Sequence, residues 1–90
     1  MYTETSLLEL LKKEEYFINK INSWNCYIKL NEEKLKSSKT DKDRSWYNDL
    51  IKYTTQCRDE AANNLQGIRD QIRTYLKKAS AIKSEHTLRR

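Results

Sequence analysis

Leu7, Leu10, Glu14, Phe17, Ile21, Trp24, Ile28, Asn31 and Leu35 follow one another at alternating steps of three and four residues. That spacing puts them on one face of an α-helix, at the a and d positions of a helix that packs against another along its length. Seven of the nine are apolar. A helix carrying this stripe is about 45 Å long at 1.5 Å rise per residue. It needs a partner of comparable length, and the rest of the chain offers one.

Ser6-Leu7-Leu8-Glu9 has capping-box spacing, so helix 1 is expected over residues 6–36. The run from Ser37 to Asp43 is polar and rich in residues that favour turns and N-caps, with Thr40, Asp41 and Asp43 as candidate caps. Helix 2 is expected over 44–84, with Tyr47, Leu50, Thr54, Cys57, Ala61, Leu65, Ile68, Ile72, Tyr75, Ala79 and Ile82 as its stripe. Cys57 to Ala61 to Leu65 makes two successive steps of four, which locally unwinds a heptad supercoil. Asn63, Asn64 and Gly67 are poor helix formers in the same region, so a break into a third helix near Gly67 competes with one long helix. The absence of proline favours the long helix. Residues 85–90 read as a frayed basic tail.

Folding the two helices back about Thr40-Asp41 brings together residues whose numbers sum to about 82. Leu35 then meets Tyr47, Ile28 meets Thr54, Ile21 meets Ala61, Phe17 meets Leu65, Leu10 meets Ile72 and Leu7 meets Tyr75. Large side chains face small ones, as an interdigitated seam requires. The expected fold is therefore all-α: a single domain, an antiparallel, coiled-coil-like helical hairpin. Leu8, Leu11 and Ile18 make a second apolar stripe on helix 1, and helix 2 outreaches helix 1. Ninety residues supply a thin core, and pairing of hairpins into a dimeric bundle would cover the surplus. Leu7, Leu10, Phe17, Ile21, Trp24, Ile28, Leu35, Leu65, Ile68, Ile72 and Ile82 are the expected seam and oligomer positions.

Charge is unevenly placed. Residues 1–68 hold eleven Lys and Arg against eleven Asp and Glu, whereas residues 69–90 hold seven against two. The net charge of +5 thus belongs to Arg69, Arg73, Lys77, Lys78, Lys83, Arg89 and Arg90, set against Asp70 and Glu85. Arg69, Arg73 and Lys77 recur every four residues and line one helix face. Such a stripe can neutralise phosphates, seat an acidic protein surface, or simply complement the negative end of the helix dipole.

Tyr16, Tyr27 and Tyr53 fall off the stripes and are candidate partner contacts, because tyrosine buries a large area while keeping a polar atom. Trp24 and Tyr75 lie on the stripes and are expected in the core. Glu14 is expected to reach water from a loose part of the seam. Asn31 either does the same or fixes the register of the helices. Cys26 points away from the seam and Cys57 into it, so both are expected as free thiols.

Nothing here points to catalysis, a metal or a cofactor. His86 is the one histidine, and neither a phosphate-cradling glycine loop nor a nucleophile elbow is present. No run of about 20 apolar residues suggests a membrane span, and a cytoplasmic location is expected. The functional expectation is a non-enzymatic protein-interaction module, an inhibitor or adaptor that binds an acidic protein partner through the basic end of helix 2 and the off-stripe tyrosines. The richness in Lys, Asn, Ile and Tyr suits AT-rich coding sequence and hence a phage or mobile element. A nucleic-acid-binding accessory protein using the basic stripe is the alternative. A secretion co-chaperone or a self-assembling structural coiled coil also fits.

Overall fold

A computed structural model describes the backbone of residues 4–88 and the side chains of residues 6–80. Two helices account for the fold: α1 spans Glu4–Lys36 and α2 spans Asp41–Leu88. They pack as an antiparallel hairpin with extents of 75 × 17 × 16 Å.

The four-residue connection works without glycine, and among the described residues none takes a positive φ. Serine hydroxyls close α1 instead. Ser38 Oγ donates to the Lys34 carbonyl at 2.8 Å and Ser37 Oγ to the same carbonyl at 3.1 Å. The Ser38 amide donates to the Leu35 carbonyl at 3.2 Å. These bonds satisfy carbonyls that the end of a helix leaves without partners. Thr40 then caps α2, its Oγ1 accepting from the Asp43 amide at 3.1 Å. Asp41 and Asp43 lie in the first turn, where the dipole favours negative charge.

Thr40 as the cap moves the start of α2 from the expected residue 44 to Asp41. Helix α1 likewise starts at Glu4, so Ser6 lies inside the helix and is not its N-cap. The long helix favoured by the absence of proline is what forms: no break interrupts α2 near Gly67, and it is continuous to Leu88, past the expected end at 84. A mid-helix glycine costs about 1 kcal/mol, but buried Leu65 and Ile68 flank it and hold the helix against α1. Of the basic tail, residues 85–88 are helical, while Arg89 and Arg90 lie outside the described residues.

The register follows the sum expected from the sequence. Arg58 Nη1 donates to Asn25 Oδ1 at 3.4 Å, and Arg69 Nε donates to Glu14 Oε2 at 3.2 Å. Both bonds join residues at matching heights across the seam. Ile28, Ala61, Leu65, Ile68 and Tyr75 are buried, together with the polar Asn31 and Thr54. Leu7, Leu10, Phe17, Ile21, Trp24, Leu35 and Ile72 are half-buried, because two helices cover each stripe from one side only. The side chain of Ile82 lies outside the described residues.

A Cβ built on Gly67 meets nothing within 4 Å. Gly67→Ala is therefore expected to raise stability by about 0.5–1 kcal/mol through the lower backbone entropy of the unfolded chain. Urea unfolding followed by circular dichroism measures it, and an unchanged or lower midpoint would contradict it.

Candidate functional site

The three off-stripe tyrosines converge on one flank of the hairpin. Tyr16, Lys20, Trp24 and Tyr27 recur at steps of three and four on α1 and line an open depression of about 440 Å³. Beside it, Trp24 shares a groove with Cys57, Glu60 and Asn64 of α2. Tyr16 also borders the adjoining groove at Asn64 and Gly67. Tyr53 joins the same flank from α2. Its phenol is held above the ordinary tyrosine range, first by side-chain hydrogen bonding and electrostatic interaction with Cys57 one turn on, with lesser contributions from desolvation and Glu60.

Ring contacts order this surface. Trp24 and Tyr27 meet edge-on at 6.4 Å between centroids, and Tyr16 and Phe17 at 5.2 Å. Lys20 Nζ sits 5.3 Å from the centre of the Tyr16 ring, within cation–π range. Tyr16, Tyr27 and Tyr53 nonetheless stay 53%, 51% and 62% exposed. Trp24, expected in the core, is half-buried and turns part of its surface to the flank.

One aromatic escapes the sequence reasoning. Trp46, at the turn end of α2, is 60% exposed and lines an open depression with Tyr47 and Asp49. The signal lay in its spacing: Trp46, Tyr53, Glu60 and Gly67 recur every seven residues and so share a face of α2 with the tyrosine flank. Leu8, Leu11 and Leu76 are also exposed, toward the open end of the hairpin.

The basic stripe is less available than its sequence implied. Arg69 is bonded to Glu14 across the seam, so Glu14 does not simply reach water. Arg73 lies 3.5 Å from Asp70. Lys77 and Lys78 are exposed, and the side chain of Lys83 lies outside the described residues, as does that of His86. Cys26 is an exposed free thiol and Cys57 a half-buried one. Among the described residues no three His, Cys, Asp or Glu side chains are placed to share a metal ion, and no helix is long and apolar enough to cross a membrane.

No protein family, curated protein or solved structure matches this chain. The reading of its function therefore rests on the flank and the charges themselves.

Proposed function

We propose that this chain is a non-enzymatic protein-interaction module, of inhibitor or adaptor kind, whose aromatic flank is a protein-docking surface. The observation behind this reading is the alignment of Tyr16, Trp24, Tyr27, Tyr53 and Trp46 along one side of the hairpin, exposed or half-buried. Large amphipathic rings held at fixed places by a rigid helix are what interface hot spots are made of. The surface is open rather than enclosed, which suits a protein partner better than a small substrate. The exposed lysines of α2 add attraction for an acidic surface and raise the rate of encounter.

Nucleic acid is the weaker reading. Counterion release depends on cations free to meet phosphates, and two of the three cations of the stripe already face carboxylates.

The test is a pull-down with the tagged chain from its native cells, washed at high salt after nuclease treatment. A protein partner is expected to survive both treatments. It is expected to bind at least about tenfold more weakly when Tyr16, Tyr27 and Tyr53 are all changed to Ala. Recovery of nucleic acid alone, lost in salt and lost again with Arg73→Ala and Lys77→Ala, would overturn the reading.

A further inference from the structure

The groove between Trp24 and Cys57 is lined by one positive and one negative side chain, Lys20 and Glu60, and neither forms an ion pair among the described residues. Lys20 of α1 leans over the Tyr16 ring. Glu60 of α2 is exposed at nearly the same height, lining the same groove as Lys20 and Trp24. The bulk is distributed in the same complementary way. Tyr16 on α1 is level with Asn64 and Gly67 on α2, where the glycine leaves open space.

Given that the flank is a protein-docking surface, we propose that its occupant is a second copy of this chain, related by a two-fold axis parallel to the helices. Such an axis lays α1 of each copy over α2 of the other at the same height. Residues level across one flank are then the residues that meet between copies. Lys20 faces Glu60 of the partner subunit, Trp24 faces Cys57 of the partner subunit, and Tyr16 covers the open backbone at Gly67 of the partner subunit. Each pairing occurs twice.

A two-fold axis perpendicular to the helices and centred on this groove lays α1 on α1 instead. It sets Lys20 near its own copy and Glu60 near its own copy, so charge selects the parallel axis. The product is a four-helix bundle, which adds a second buried seam to a hairpin whose described side chains include five buried apolar ones.

The experiment uses Lys20→Glu and Glu60→Lys, both at exposed positions, with sedimentation as the readout and circular dichroism to confirm folding. The wild-type chain is expected to sediment as a dimer. Each variant alone places like charges opposite each other twice, and its self-association is expected to weaken at least about tenfold. Mixed together, the two variants restore both pairs, and a heterodimer is expected. That rescue in trans cannot arise from a contact within one hairpin.

A wild-type dimer whose association ignores both substitutions, with no rescue in the mixture, would overturn the arrangement. A monomeric wild-type chain that still loses its pull-down partner with the three Tyr→Ala changes would overturn the second copy as occupant while leaving the docking surface in place. Loss of neither dimer nor partner on those changes would remove the docking surface itself, and the inference with it.

Discussion

Leu65→Ala is expected to destabilise the fold by about 2–4 kcal/mol, a large share of the 5–15 kcal/mol that holds a typical domain. Leu65 is 8% exposed and is level with Phe17 across the seam, inside the stretch of α2 that carries Ala61, Ile68 and Tyr75. A hairpin has few layers with which to absorb a cavity, since the seam is one side chain deep. The comparison that makes the result interpretable is Leu76→Ala. Leu76 is chemically the same but 52% exposed, and its removal is expected to change stability by about 0.5 kcal/mol or less. Urea unfolding of both variants would show the contrast. Equal effects would mean that burial along the seam does not govern stability.

The second large effect has the opposite sign. Asn31 is 3% exposed, and its Nδ2 is buried without a hydrogen-bond partner. A buried unsatisfied donor costs about 1–3 kcal/mol in lost hydration. Asn31→Leu keeps the branching at Cγ, removes that cost and adds apolar burial, so stability is expected to rise by about 1–3 kcal/mol. Thermal unfolding is a convenient check, since each kcal/mol moves Tm by roughly 4–8 °C in a domain of this size. A lower Tm would show that the amide is satisfied and that its removal breaks a contact. The retention of so costly a residue fits a role in alignment. A seam of evenly spaced apolar residues matches itself in several registers, and a polar residue at an a or d position can fix one of them at a cost in stability.

Much of this architecture was legible in the sequence because hydrophobic spacing reports directly on helical faces. The Leu7–Leu35 stripe and the polar run after Lys36 define two helices and the fold-back, and the height-matched pairs Asn25–Arg58 and Glu14–Arg69 follow from that fold-back. Boundaries were less legible. Several residues near each helix start can cap it, and only the hydrogen bond to Thr40 selects among them. Gly67 shows a different limit: propensity alone leaves a break competing with one long helix, and the flanking buried residues hold α2 continuous.

The candidate surface was half legible. Tyr16, Tyr27 and Tyr53 stood out by lying off the stripes, yet that they share one flank depends on how α2 is rotated against α1. Trp46 precedes the first seam residue of α2, so no stripe in the sequence marks it. Arg69 looked like a free cation until the register placed Glu14 beside it.

The four-residue turn also orders events in time. The entropy of closing a loop grows with the number of residues enclosed, and seam pairs near Ser37–Thr40 enclose the fewest. Ile28 and Thr54 are therefore expected to meet ahead of Leu65 and Ile68, since each doubling of the enclosed length adds about 0.6 kcal/mol to closure. Side chains that engage late act mainly on the rate of opening. The far half of the seam is thus the latch that sets how long each molecule stays folded, and the turn is the hinge that sets how fast it gets there.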